Sequence, residues 1–168
     1  MIEVLSHREA DVHEGRCFCI GLENSALAKD GTINIAIKTP KTGCVEVFGE
    51  YQAFGGNVKI EFLQGATISD GTSYTPINQN DQSAKTSKCT VLTGVTVSTD
   101  GTTKRERTMF SSSTVPAKSN SFVADPIPRI LKNDTQYVLR MTSLTTTVSV
   151  GAYISMTATR RCMIPPGP

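Results

Sequence analysis

The sequence contains no tryptophan, only two histidines and only 6% aromatic residues in 168 positions. No apolar run approaches the ~18 residues that a transmembrane helix needs. The first fifteen residues, MIEVLSHREADVHEG, lack both the apolar region and the small-residue cleavage site of a secretory signal peptide. These absences predict a soluble protein that is made in the cytoplasm and does not bind a membrane.

A strong excess of charge of either sign is also lacking. The chain has 17 basic and 15 acidic residues, which gives a formal net charge of +2. A near balance of this kind produces no broad positive field to attract the phosphates of nucleic acid or the head groups of an anionic membrane. We therefore expect neither nucleic acid nor membrane as a partner.

The cysteines do not form a disulfide framework or a metal-binding pattern. Their number is odd, and no C-x-x-C motif is present. Cys17 and Cys19 lie two residues apart, so on a strand they project to one face, where small apolar residues are more typical than zinc ligands. We expect reduced thiols at all five positions: Cys17, Cys19, Cys44, Cys89 and Cys162.

Residues for catalysis are equally scarce. His7 and His13 both precede the first predicted strand, and the chain has no G-x-S-x-G motif to present a nucleophile. The polar residues that follow Asp70 do not have the spacing of a calcium loop. We predict no enzymatic activity, no catalytic residue, no metal ligand and no cofactor.

What the sequence does contain is typical of an all-β protein. Thr and Ser make up 37 residues, and apolar residues alternate with polar ones over several short runs. The alternation predicts about eight strands and no helix, hence a two-sheet antiparallel sandwich that is jelly-roll-like. The predicted inward-facing residues are Ile33, Ile35, Ile37, Val45, Val47, Val58, Ile60, Phe62, Tyr137, Leu139, Met141, Val148, Val150, Ala152, Ile154 and Met156.

The predicted sandwich occupies residues 15–159, between an N-terminal arm (residues 1–14) and a proline-rich C-terminal tail (residues 160–168). Turn signals predict three hairpins within it. The first is residues 51–62, with its turn at Gly55-Gly56, and the second surrounds Asp100-Gly101. The third joins the last two strands through a Thr-rich turn. The segment DPIPRILKNDT is predicted to be a loop.

Two polar or charged stretches are candidates for contact with a partner. Residues 62–83, FLQGATISDGTSYTPINQNDQS, are either an interaction loop or a flexible crossover between the sheets, and Tyr74 beside Asn78 also allows sugar binding. Lys104, Arg105, Glu106 and Arg107 place charge on both faces of one strand, as expected of a solvated edge strand or of a contact patch.

The order of these features resembles the jelly-roll cement or decoration proteins of tailed bacteriophages. The resemblance is carried by HEGRCFCIGLENSALAKDGTINIAIKTP, by the stretch at 62–83, by VTVSTDGTTKRER and by LKNDTQYVLRMTSLTTTVSVGAYISMTATRR. The family pattern G-T-x-x-x-x-x-N-x-N-R is matched by Gly71, Thr72, Asn78 and Asn80, but Asp81 replaces its Arg. The pattern N-x-T-x-Y-x-x-R-x-T is matched by Asn133, Thr135, Tyr137, Arg140 and Thr142.

The resemblance implies a structural protein on the outer capsid surface of the virion, made in the host cytoplasm and without catalysis. It implies the major capsid protein as partner and a homo-oligomer, either a dimer or a trimer. A low-copy tail or fibre-associated protein, a glycan-binding sandwich and a hydrolase are the alternatives. The predicted contact residues are Tyr74, Thr75, Pro76, Asn78, Asn80, Asp81, Arg105, Arg107, Arg160 and Arg161.

Overall fold

The computed structural model describes residues 7–111, 121–124 and 129–159, which form two antiparallel sheets packed face to face and one short helix. The all-β sandwich predicted from the sequence is confirmed. The elements are α1 (His7–His13), β1 (Cys17–Leu27), β2 (Thr32–Lys38), β3 (Cys44–Phe54), β4 (Val58–Gln64), β5 (Thr67–Ser69), β6 (Thr72–Tyr74), β7 (Ile77–Asn78), β8 (Thr90–Thr93), β9 (Thr96–Thr99), β10 (Thr102–Met109), β11 (Ser121–Ala124), β12 (Arg129–Leu131), β13 (Gln136–Ser143) and β14 (Val148–Thr159).

The strand order is that of a jelly roll. In the first sheet, β11 and β12 share one side of β3, which is followed by β14, β1 and β7. The second sheet has the order β10, β4, β13, β2, β8 and β6. Long strands that directly follow one another along the chain thus lie in opposite sheets: β1, β3 and β14 in the first sheet, and β2, β4 and β13 in the second. This alternation is typical of the two Greek keys of a jelly roll.

The space between the sheets is filled by the predicted inward-facing residues. Ile35, Ile60, Leu139 and Ile154 are among those buried in one continuous apolar cluster. Ile33 and Phe62 are only partly buried and pack against that cluster. The alternation read from the sequence thus assigns the correct face to each of these strands, because residues two apart on a strand project to the same side.

The three predicted hairpins are wrong. The strands on either side of Gly55-Gly56, β3 and β4, belong to opposite sheets, as do β13 and β14. Around Asp100-Gly101, β9 pairs with β5, whereas β10 pairs with β4. At Gly55-Gly56 and at the Thr-rich turn the chain crosses to the opposite sheet, whereas at Asp100-Gly101 it continues from a strand paired with β5 to a strand paired with β4. The turn residues therefore form corners rather than hairpin turns.

Three smaller predictions are also corrected. Residues 7–13 of the predicted arm form α1, which contacts β1 and β14. Arg129–Leu131, predicted to be part of a loop, is β12 and pairs with β3. Cys44 is disulfide-bonded, whereas Cys17, Cys19 and Cys89 are free thiols as predicted. Burial raises the pKa of the Cys89 thiol to about 11, so this thiol stays protonated at neutral pH.

Residues 65–101, called the insertion below, connect β4 to β10 and add strands to both sheets. Within the insertion, β8 extends the second sheet beside β2, and β7 extends the first sheet beside β1. The ribbon of β5 and β9 covers part of the outer face of the second sheet and encloses a second apolar cluster there. That cluster contains Ala36, Leu63, Ala66, Val95 and Val138. The insertion is therefore an integral part of the sandwich.

The described helix, α1, is much too short and too polar to span a membrane.

Candidate partner-binding site

The polar residues of the insertion hold the end of α1. Asn78 Nδ2 donates a hydrogen bond to Gly15 O (3.2 Å), and Asn80 Nδ2 donates one to His13 O (2.9 Å). The two asparagines are also joined, because the Asn80 backbone N–H donates to Asn78 Oδ1 (2.9 Å). Carbonyl groups at the end of a helix lack partners within the helix, so these amides satisfy acceptors that α1 leaves open.

These hydrogen bonds predict that replacing Asn78 with Ala destabilises the protein by about 1–3 kcal/mol, because the partners of the amide lose their hydrogen bonds. From the sequence alone, replacing both Asn78 and Asn80 with Ala is expected to weaken attachment to a partner and leave folding intact. Urea denaturation measures the difference. Asp81→Ala is the matched control, since Asp81 is exposed in the same segment; equal midpoints for the two variants would contradict the structural role of Asn78.

Directly before Asn78, the chain presents an exposed apolar side chain. Ile77 is 59% exposed and pairs with Cys19 on β1. Because paired residues on neighbouring strands share a face, Ile77 and the half-buried Cys19 lie together on the outer face of the first sheet. Tyr153 of β14 is 37% exposed on the same face. We call Ile77, Cys19 and Tyr153 the Tyr153 patch.

The position of the Tyr153 ring is fixed by its neighbours. Tyr153 pairs with Gly21 on β1, two residues from Cys19. The Tyr153 hydroxyl accepts a hydrogen bond from Gln79 Nε2 of the insertion (2.6 Å). Burial and a hydrogen bond to Cys19 raise the pKa of Tyr153 above its ordinary value, so the ring is neutral at physiological pH. The patch is thus an ordered, uncharged surface.

Acidic residues flank the patch on the same outer face. Glu50 is paired with Tyr153, and Glu23 is paired with Gly151. On another part of this face, α1 lies against the sheet: the Arg8 guanidinium is 5.1 Å from the centre of the Phe48 ring. The helix therefore covers one region of the outer face, while the Tyr153 patch and its acidic neighbours remain accessible.

The structure separates the predicted contact residues of the insertion into two groups. Tyr74 and Pro76 are half-buried, and Tyr74 packs against the main apolar cluster. Asn78 and Asn80 are half-buried and hydrogen-bonded to the protein itself. The exposed members are Thr75 and Asp81. The predicted segment therefore lies at one surface of the protein, but most of its named side chains are half-buried and contact the protein itself.

The predicted arginines lie elsewhere. Arg105 and Arg107 are on β10, which is an edge strand of the second sheet as predicted, and they pair with Phe62 and Ile60. Since Phe62 and Ile60 face the interior of the sandwich, the two half-buried arginines lie on the inner side of the sheet edge. Inward-pointing charge of this kind protects an edge from pairing with another sheet. Arg160 and Arg161 fall outside the described residues.

Ile77 and Tyr153 were not predicted from the sequence as site residues. Ile77 stands inside the predicted segment, and the alternation of β7 places it opposite in direction to Asn78. Asn78 is bonded inward, so its apolar neighbour Ile77 points outward. This contrast is the local signal for Ile77 as an exposed residue. Tyr153 has a similar signal, because it interrupts the inward series at Ala152 and Ile154 with an aromatic residue on the outward side.

A second feature is a charged network on the outer face of the second sheet. Lys59 Nζ lies 2.9 Å from Glu61 Oε1, which raises the pKa of Lys59. Arg140 bonds to Asp100 with both guanidinium nitrogens and lowers the pKa of the Asp100 carboxyl. Glu61, predicted to be an outward residue, does project outward but is only 8% exposed because this network and the insertion cover it.

Among the residues that the structure describes, no three His, Cys, Asp or Glu side chains are grouped as metal ligands. Comparison with protein families and with curated proteins gives no match for the sequence.

Proposed function

We propose that the protein is a structural component of a tailed-bacteriophage virion. It binds the outer surface of the assembled capsid and stabilises the shell by bridging neighbouring capsid subunits. The Tyr153 patch is the observation that supports this proposal best: an ordered apolar surface, held by the insertion on a jelly-roll scaffold. The jelly roll is also the fold that the resemblance to cement and decoration proteins implies.

The composition of the patch favours a protein partner. Tyr and Ile provide large contact area with little conformational freedom to lose, which is typical of the residues that dominate binding energy in interfaces. Glu23 and Glu50 beside the patch repel nucleic-acid phosphates and anionic lipid head groups. A partner with an apolar surface and nearby basic residues complements it.

The mechanism of stabilisation follows from selective binding. A protein that binds the assembled shell but not free capsid subunits shifts the equilibrium toward the shell. Each contact can be modest, because copies that bridge several subunits, as a dimer or trimer would, combine their contacts into a larger effect.

Binding to capsid shells that lack the protein tests the role of the patch. We expect Ile77→Asp to weaken co-sedimentation with shells by about tenfold or more, because it places a charge in the centre of an apolar contact. Thr75→Asp, at an exposed position two residues away, is the matched control and should bind like the wild type. Both variants should fold normally, because both positions are exposed. Equal shell binding by the two variants would rule out the patch as the interface.

The number of copies per purified particle separates the proposal from its alternatives. Quantitative mass spectrometry against the major capsid protein should give a number of the same order as that protein. A handful of copies would indicate a tail or fibre-associated protein instead. Absence from particles would reject both virion roles and return attention to glycan binding or hydrolysis.

A further inference from the structure

A groove of about 940 Å³ lies where the two sheets meet beside the insertion. It is bounded by residues 22–24 of β1, by residues 32–34 of β2 and by residues 93–97 of the insertion. Its floor includes Glu61 and Arg140 on the outer face of the second sheet. The volume is within the range of about 300–1,000 Å³ that is usual for ligand-binding sites.

The groove runs along a part of β1 that, within residues 7–111, 121–124 and 129–159, has no neighbouring strand on one side. The insertion strand β7 pairs only with Phe18 and Cys19. Beyond Cys19, no strand among the described residues lies on that side of β1; the Gly21 N–H instead donates to the Tyr74 hydroxyl (3.3 Å). The insertion thus covers the first half of this sheet edge and leaves the second half open.

The backbone groups along this edge point alternately toward and away from the groove. Cys17 O accepts a hydrogen bond from Gln79 N (2.9 Å), and Gly21 N also points to the insertion. Backbone groups alternate sides along a strand, so those of Glu23 point the same way as those of Cys17 and Gly21. Residues 21–24 therefore present an open edge about 13 Å long, at ~3.3 Å per residue.

The walls of the groove favour an uncharged occupant that forms hydrogen bonds. Four of its charged residues are already paired, Lys59 with Glu61 and Arg140 with Asp100, and the exposed Glu23 is the remaining charge. The exposed residues Thr32 and Thr96 provide hydroxyl groups along the groove. Leu22 and Ile33 add apolar surface. A polypeptide backbone, neutral and carrying regularly spaced donors and acceptors, matches this combination.

We propose that an extended segment of a capsid subunit adds to β1 as a further strand in this groove, next to β7. Its backbone bonds to the carbonyl of Gly21 and to the N–H and carbonyl of Glu23, and alternate side chains face Leu22 and Ile33. This inference rests on the proposed function for the identity of the partner. Strand addition at an exposed sheet edge is a general mode of peptide recognition, and here it gives a second contact beside the Tyr153 patch.

Glu23→Pro tests the inference, because proline removes the backbone N–H that the added strand needs and keeps an extended conformation. Glu23→Ala is the matched control, since it removes the same side chain and keeps the N–H. We expect Glu23→Pro to bind capsid shells at least tenfold more weakly than Glu23→Ala, because both variants lose the carboxylate beside the Tyr153 patch and only the backbone N–H differs between them. Both should melt like the wild type, because the Glu23 N–H points away from β14.

Hydrogen exchange of the wild-type protein provides a second measurement that needs no variant to fold. The amide of Glu23 should exchange more slowly once shells are bound, whereas that of Gly21 is already bonded to the Tyr74 hydroxyl and should change less. Unchanged exchange, or equal shell binding by the Pro and Ala variants, overturns the inference. If Glu23→Pro instead reduces only self-association in sedimentation velocity, the occupant is a second copy and the capsid assignment is overturned.

The outcomes for the two contacts can be told apart. If Ile77→Asp weakens shell binding and Glu23→Pro does not, only the added strand is rejected. If the wild-type protein does not bind shells at all, the proposed function is rejected, and the strand partner proposed here with it.

Discussion

Replacing Ile60 with Asp is expected to abolish cooperative folding. Ile60 is 5% exposed on β4, in the main apolar cluster between the sheets. The change loses the burial of a large aliphatic side chain, about 1.5–3 kcal/mol, and places a carboxylate in an apolar cluster, which adds a large desolvation cost. Its register partners are Met141 on β13 and Arg107 on β10, and pairing with the half-buried Arg107 offsets only part of that cost. Together these costs approach the total of about 5–15 kcal/mol that stabilises a domain.

Thermal unfolding followed by circular dichroism, with size-exclusion chromatography, measures this effect. Thr108→Asp is the control: Thr108 is exposed on the adjacent strand and pairs with Lys59, so a new carboxylate there has a cation beside it. We expect the control to melt near the wild-type temperature. A soluble Ile60→Asp protein with a cooperative transition at that temperature would show that β4 presents its other face to the core.

The faces of the strands could be predicted because alternation is a local property. The series from Val148 to Met156 has the same period as the backbone of a strand, so the inward side can be read without knowing the neighbours. Long strands of this kind made the sandwich predictable. The short strands of the insertion, such as β6 and β7, contain too few residues to show a period.

The pairing partners could not be predicted in the same way. Gly55-Gly56 indicates that the chain reverses, but it does not indicate whether the next strand joins the same sheet or the opposite one. That choice depends on apolar faces that are far apart in sequence, because β3 buries its inward side against strands of the other sheet. In a jelly roll, the next strand repeatedly joins the opposite sheet. Turn signals that usually indicate hairpins therefore occur here at corners.

The sequence indicated which segment carries the candidate site, but not which side chains form its exposed surface. Its polar residues predicted a contact site around Asn78 and Asn80, and this segment does reach the surface that we propose binds a partner. The amides turn inward, however, because the end of α1 needs donors, and α1 itself was not predicted. Without the helix, the sequence does not show that Asn78 is bonded inward, so the alternation alone does not identify Ile77 as the exposed residue.

The corner at Asp100-Gly101 gives the second large expected effect. Replacing Gly101 with Ala places a Cβ atom 2.1 Å from Gln64 O and 2.6 Å from Ala66 N. Both are backbone atoms at the end of β4, so relief of the contact requires a shift of the strand itself. We expect a loss of more than about 2 kcal/mol, within the range that overpacking a core produces.

Gly94→Ala is the matched control for this variant. Gly94 has a φ of +66°, and no atom lies within 4 Å of the position that an added Cβ would take, so alanine there adds only backbone strain of about 1 kcal/mol. In the hairpin that the Asp-Gly pair indicates, Gly101 would likewise have a positive φ and open surroundings, and both variants would lose similar stability. Urea denaturation of the two proteins therefore distinguishes the corner from the hairpin: a clearly larger loss for Gly101→Ala supports the corner, and equal losses contradict it.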